Sequence, residues 1–64
     1  MDFLLLDVVT LAQDIPEEGL EEGMVGAIVE VFEKPTKAYL VEFCDSLGKT
    51  IKLLPLAPEQ LVTV

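Results

Sequence analysis

Hydrophobic residues recur at every second position within short runs that glycine and proline separate. A period of two is typical of β-strands, whose successive side chains point to opposite faces of a sheet. β-branched and aromatic residues are frequent in these runs, as strands favour. The pattern predicts strands at residues 5–12, 24–33, 38–44, 49–56 and 62–64. We therefore expect an all-β protein.

The segments between these runs have the composition of turns. Pro35 cannot continue a β-ladder, so residues 34–37 are predicted to form a turn. Asp45 and Gly48 favour a tight hairpin. Pro58, followed by Glu-Gln-Leu, predicts a single 3₁₀ turn before the last strand.

This order of elements predicts the architecture. A strand, a long loop, three strands joined by turns, a 3₁₀ turn and a closing strand match an SH3-like small barrel of about five strands. We expect one such domain over residues 1–64. Gly26 interrupts the second run, where a glycine marks a bend or the close approach of another backbone.

The alternation also predicts which side chains face inward. Val9, Leu11, Ile51 and Leu53 are expected to point into the barrel. The alternate positions, whose side chains would point outward, also carry many apolar residues. Only about half of the strand residues of a barrel can point inward, so these apolar residues exceed what the core can bury. The predicted outward set is Leu6, Val8, Ile28, Phe32 and Leu40, with Cys44 and Leu54 on the same parity.

This surplus predicts a protein interface. Hydrophobic residues make up 52% of the chain although its net charge is −8. Bent strands that bury both faces could absorb about half of the outward set. The rest would form an exposed apolar patch larger than monomers usually carry, so we expect either a homo-oligomer or a complex with another protein. A peptide groove around Phe32 and Tyr39 is an alternative, but the chain has no tryptophan and few aromatic residues.

The charge balance disfavours two classes of partner. Twelve acidic residues stand against four lysines, and there is no arginine. Nucleic acids and anionic membranes attract cationic surfaces, so neither is an expected partner. The apolar run before Asp7 has no basic residue ahead of it and is too short for a signal core or membrane span. A cytoplasmic location is expected.

Catalytic chemistry is also disfavoured. The chain has no histidine, one cysteine (Cys44) and one serine (Ser46). A Ser-His-Asp arrangement and a Cys/His zinc site therefore cannot be assembled. Glu42 and Asp45 flank Cys44 without a base that could activate it, which favours an inert, partly buried thiol. We expect no enzyme activity, no cofactor, no metal and no small-molecule substrate.

The connection at residues 13–23 is acidic. Ile15 and Leu20 are expected to pack against the barrel, and a single helical turn could form at residues 16–20. The loop lacks the tightly spaced D-x-D-x-D-G pattern of calcium loops, so a solvated loop is favoured, with a patch that steers a cationic partner as the alternative. The acidic residues are Asp14, Glu17, Glu18, Glu21 and Glu22.

Several segments resemble a known family when they are taken in order. These are residues 6–9 (LDVV), 16–20 (PEEGL), 23–31 (GMVGAIVEV), 41–50 (VEFCDSLGKT) and 58–61 (PEQL). Together they resemble a family of short acidic bacterial proteins known only as a domain of unknown function. The resemblance implies an SH3-like fold and no established activity.

Three functions remain open at the level of sequence. The first is a non-catalytic interaction module, such as the antitoxin-like or accessory member of a two-gene pair. The second is an accessory subunit of a larger enzyme, by analogy of fold alone. The third is an RNA-associated regulatory barrel, because residues 23–31 resemble the KOW element of translation-associated barrels; the shortage of basic residues disfavours it.

Overall fold

The predicted β-rich pattern forms five strands in a computed structural model that describes residues 3–64. Two 3₁₀ turns lie between strands, at Pro16–Glu18 and Pro58–Gln60, and residues 3–64 contain no α-helix. The strands are β1 (Val8–Leu11), β2 (Val25–Phe32), β3 (Ala38–Cys44), β4 (Thr50–Leu56) and β5 (Leu61–Thr63).

The strands form one antiparallel sheet in the order β4-β3-β2-β1-β5. Strands β2, β3 and β4 form a meander, and β5 returns to pair with the free side of β1. The 3₁₀ turn at Pro58–Gln60 joins the two ends of the sheet. The expected all-β, SH3-like small barrel is confirmed.

The core consists of inward side chains from all five strands, with contributions from the loops. Val9 and Leu11 are buried as predicted, and Ile15 and Leu20 cover one end of the barrel. The loop that holds these two residues is closed by reciprocal backbone hydrogen bonds between them, at 2.9 and 3.1 Å. The fully buried large side chains are Tyr39, Phe43, Leu11, Ile28, Val9 and Val41.

Strand β2 contains a bulge that reverses its faces. Ile28 pairs with Val41 and Glu30 pairs with Leu40, so that Val29 is left without a partner. A bulge shifts the alternation by one residue. Ile28 is therefore fully buried, and its predicted outward orientation is wrong, whereas Phe32 beyond the bulge is exposed as predicted.

Strand β4 also faces the opposite way from the prediction. Ile51 and Leu53 are about half exposed, while Leu54 packs against the core and Leu56 is buried. A bulge next to the β3–β4 hairpin causes this, since Cys44 pairs with Thr50 while Phe43 pairs with Lys52. The predicted inward orientation of Ile51 and Leu53 and the outward orientation of Leu54 are wrong.

Gly26 lies where two strands approach closely, as the sequence predicts. A Cβ atom at this position would lie 2.7 Å from Val41 Cγ1, 2.9 Å from Phe43 Cε1 and 3.0 Å from the Glu42 carbonyl oxygen. Only glycine fits without movement of the neighbouring strand.

Candidate functional site

An apolar strip lies on the outer side of the sheet. Cross-strand pairing places Val8 beside Ala27, and Thr10 lies between Val25 and Val62. Residues opposite each other in an antiparallel pair share a face. We call the strip the outer apolar face; its members are Val8, Val25, Ala27, Leu53 and Val62.

The large side chains of this face are not covered by the rest of the chain. Val8, Val25, Leu53 and Val62 each keep between 49% and 55% of their surface exposed. Cross-strand pairing puts them on one side of the sheet, with Thr10 between Val25 and Val62 and Glu42 between Ala27 and Leu53. Several large apolar side chains exposed on one face mark an interaction site more often than singly scattered exposed residues do.

One carboxylate lies in the middle of the outer apolar face. Glu42 pairs with Ala27 on one side and with Leu53 on the other. Its Oε2 accepts a hydrogen bond from Thr50 Oγ1 at 2.6 Å, which fixes the carboxylate in place. A shallow depression of about 190 Å³ lies beside it, lined by Val8, Val25, Gly26, Ala27, Glu42 and Cys44. Any partner on this face must therefore meet apolar surface and one oriented negative charge.

The predicted interface residues do not all lie together. Leu6 and Val8 are exposed and close in the chain, whereas Phe32 lies at the far end of β2 and Leu40 is partly buried. Ile28 is in the core. Sequence reasoning missed Val25 and Leu53 because the bulges that turn β2 and β4 depend on pairing between strands, and it assigned no face to Val62 on β5.

A tight turn of exposed leucines precedes β1. We call it the leucine turn; it consists of Leu4, Leu5, Leu6 and Asp7. The Asp7 N–H donates to the Leu4 carbonyl at 3.0 Å, and the Leu4 N–H donates to Asp7 Oδ2 at 2.8 Å. The turn is joined to β2 because the Leu6 N–H donates to the Ile28 carbonyl and the Ile28 N–H donates to the Asp7 carbonyl.

Leu6 adopts a conformation that leucine disfavours. Its φ is 72°, and it is the only non-glycine residue with positive φ among those that the structure describes. The left-handed region costs an L-residue with a Cβ about 1–2 kcal/mol. The side chain is 73% exposed, so contacts within the chain do little to offset this cost.

The acidic loop is an ordered structure rather than a loose one. Asp14 Oδ1 accepts a hydrogen bond from the Glu22 N–H at 2.7 Å, and Glu18 Oε1 lies 3.0 Å from Lys52 Nζ on β4. Glu17, Glu21 and Glu22 point into solvent. No group of three or more potential metal ligands occurs within residues 3–64. The loop therefore acts as a fixed, negatively charged surface.

The lysines do not form a basic patch. Lys52 is paired with Glu18, and Lys37 Nζ lies 3.5 Å from Glu33 Oε2. Lys34 and Lys49 belong to turns at different places in the sheet. The positive charges are therefore dispersed over the described part of the surface.

Two further sequence predictions concern single side chains. Cys44 is exposed rather than partly buried, because it lies on the outer side of β3 at its end. Tyr39 is fully buried against Phe3, with ring centroids 5.3 Å apart in an edge-to-face arrangement. A peptide groove built from Tyr39 and Phe32 is therefore ruled out, because Tyr39 has no accessible surface.

Comparison with known protein families agrees with this architecture. One family, described as a domain of unknown function (DUF4926), has a sequence profile that matches residues 5–63. The chain belongs to the DUF4926 family. A search of curated proteins and a search of solved structures each gave no match. Membership in DUF4926 confirms the resemblance identified from the sequence and assigns no activity.

The DUF4926 match extends over both surface features described above. It includes Leu5, Leu6 and the whole outer apolar face from Val8 to Val62.

Within residues 3–64 no helix is long and apolar enough to cross a membrane.

Proposed function

We propose that this protein is a non-catalytic interaction module whose outer apolar face binds a basic protein. The observation that carries the proposal is the strip of half-exposed Val8, Val25, Leu53 and Val62 side chains on one side of the sheet. Strands hold these side chains in fixed positions, so little conformational freedom is lost on binding.

The charge of the chain indicates the chemistry of the partner. Two copies, each with a charge of −8, would repel one another, which disfavours a homodimer. A partner with a lysine or arginine opposite Glu42 would instead satisfy the one carboxylate within the apolar strip. The ordered acidic loop would accelerate the encounter with such a partner.

The best specific form of this function is the antitoxin-like or accessory member of a two-gene pair. An acidic protein that covers a basic partner is suited to masking that partner's surface. The alternative is an accessory subunit of a larger enzyme. A cytoplasmic setting fits both, since the exposed Cys44 thiol suits a reducing compartment.

Photo-crosslinking in the cells that produce the protein tests the proposal. A photoreactive amino acid is incorporated at position 25 on the outer apolar face, with position 47 as the matched control because Leu47 is a 90% exposed hydrophobic residue in a hairpin turn. We expect an adduct with a basic protein from position 25 and none from position 47. Equal labelling from both positions, or none from position 25, would reject the proposal.

The identity of the adduct separates the specific functions. A partner encoded beside this gene, whose toxicity this protein suppresses, identifies an antitoxin. An enzyme that co-purifies in fixed stoichiometry identifies an accessory subunit. An RNA adduct would favour the regulatory barrel instead.

Binding measurements with the purified protein and its purified partner then test whether the outer apolar face makes the contact. Val25→Asp should weaken binding at least tenfold, whereas Leu47→Asp should change it less than twofold. Both substitutions add the same charge, and a basic partner would be attracted by either. A loss confined to Val25→Asp therefore reports apolar contact and not electrostatics.

A further inference from the structure

The leucine turn presents three consecutive apolar side chains to solvent. Leu4, Leu5 and Leu6 are 68%, 58% and 73% exposed. Four hydrogen bonds hold the turn, two within it and two that join it to Ile28 on β2. The side chains are therefore projected from a rigid support rather than from a loose terminus.

Leucine at position 6 of the turn is unfavourable for the stability of the folded chain. The left-handed conformation at position 6 is one that glycine or asparagine adopts at low cost. Leucine adds strain there, and its exposed side chain has little packing with which to compensate. Residues that retain strain in this way occur mainly at functional sites.

We infer that the leucine turn is a preformed anchor that inserts into an apolar pocket of the same basic protein that binds the outer apolar face. This inference rests on the proposed function. The turn ends at Asp7, next to Val8, so the two surfaces are adjacent along the chain. A rigid projecting turn loses little conformational entropy when it enters a pocket.

The net charge of the chain indicates which kind of binding partner the leucine turn fits best. An anionic membrane could accept leucines but would repel a chain of charge −8, and so would a second copy of the chain. A protein pocket with a basic rim is complementary to both the leucines and the charge.

The first test places the photoreactive amino acid at position 5 in the producing cells. We expect position 5 to label the protein that position 25 labels. Labelling from position 25 but not from position 5 leaves the proposed function intact and overturns the anchor. Labelling from position 5 of a second copy of this chain, or of lipid, also overturns it. No labelling from either position rejects both proposals.

The second test uses the purified protein that is labelled from position 5. Leu5→Ser should weaken binding at least tenfold with an unchanged circular dichroism spectrum. Leu6→Gly should also weaken binding at least tenfold while it raises the melting temperature by about 4 °C, because it relieves the left-handed strain. Leu47→Ser is the control and should leave the affinity unchanged.

The decisive result is a Leu6→Gly variant that is more stable than the unaltered protein and binds the partner more weakly. A merely structural leucine turn would lose stability on substitution of Leu6. Binding of Leu5→Ser within twofold of the unaltered protein, or a lower melting temperature for Leu6→Gly, would contradict the inference.

Discussion

Gly26 is the one glycine of the chain at which packing leaves no room for a Cβ atom. The side chains of Val41 and Phe43 and the backbone of Glu42 occupy the space that a Cβ atom would need. The sequence predicted a close approach there, because a glycine within a run of strand-forming residues has no side chain to contribute to packing. It could not identify which strand approaches, since that depends on the pairing of β2 with β3.

Gly26→Ala should destabilise the protein by about 1–3 kcal/mol, the usual cost of overpacking. Urea unfolding of the single variant measures the loss. Val41→Ala provides the control, since it removes the atom that would lie 2.7 Å from the Cβ of an alanine at position 26. The cost of Gly26→Ala should be smaller in the Val41→Ala background, and strictly additive effects would contradict the steric explanation.

Tyr39 joins the N-terminal segment to the barrel through its hydroxyl group. The ring is fully buried, and Tyr39 Oη accepts a hydrogen bond from the Phe3 N–H at 3.1 Å. The sequence offered Tyr39 only as a possible groove residue beside Phe32. It did not predict the contact with Phe3, which is 36 residues away.

Tyr39→Phe should cost about 1 kcal/mol, because the buried Phe3 N–H loses its acceptor while the ring packing is retained. Thermal unfolding measures the cost, and amide hydrogen exchange at Phe3 should become faster. Unchanged exchange at Phe3 would show that the hydrogen bond does not hold the segment.

At the level of elements, the hairpin between β3 and β4 follows directly from local sequence. Asp45 Oδ1 accepts hydrogen bonds from the N–H groups of Leu47 and Lys49, both at 2.9 Å, and Gly48 has a φ of 82°. Aspartate and glycine favour these conformations wherever they occur. This explains why the turn and the bounds of β3 could be predicted from the sequence.

Asp45→Ala should lower the stability by about 1 kcal/mol, since two backbone donors in the turn lose their acceptor. Asp45→Asn keeps an acceptor oxygen at the same place and should lose less than half as much. Chemical unfolding of the two variants measures the difference. Equal losses would indicate that the charge of Asp45, rather than its position as an acceptor, stabilises the hairpin.

The faces of β2 and β4 could not be predicted in the same way. Alternation assigns side chains to the correct face only while the pairing between strands is regular. The bulges at Val29 and Ile51 each shift the alternation by one residue. Ile28 and Val31 therefore both face the core although their parities differ. A bulge is a property of two strands together, so neither strand's sequence contains enough information to place it.

For the whole molecule, the hydrophobic content of the chain predicted that an exposed apolar surface exists. The alternation of apolar positions was less successful in predicting which residues form that surface. A small barrel cannot bury a chain that is 52% hydrophobic, whichever way its strands face. The members depend on the bulges, so Leu6 and Val8 were identified while Val25 and Leu53 were missed. The sequence also placed the acidic loop outside the strands, because its charged residues and Pro16 exclude it from the sheet.

The net charge of −8 should itself limit stability at low ionic strength. Self-repulsion destabilises a compact state, and salt screens it over about 10 Å at 0.1 M. Glu17, Glu21 and Glu22 are exposed, so their replacement by glutamine should raise the melting temperature at low salt. The same triple variant should respond less to added sodium chloride than the unaltered protein does.

Glu17 and Glu18 provide a matched pair for this prediction. Glu17→Gln and Glu18→Gln change the net charge equally, but only Glu18 is paired with a lysine, Lys52, at 3.0 Å. Both side chains of this pair are more than a third exposed, so the pair contributes no more than about 1 kcal/mol. Glu17→Gln should therefore stabilise the protein more than Glu18→Gln does in thermal unfolding at low salt. The reverse order would mean that local repulsion around Glu18 outweighs its pairing with Lys52.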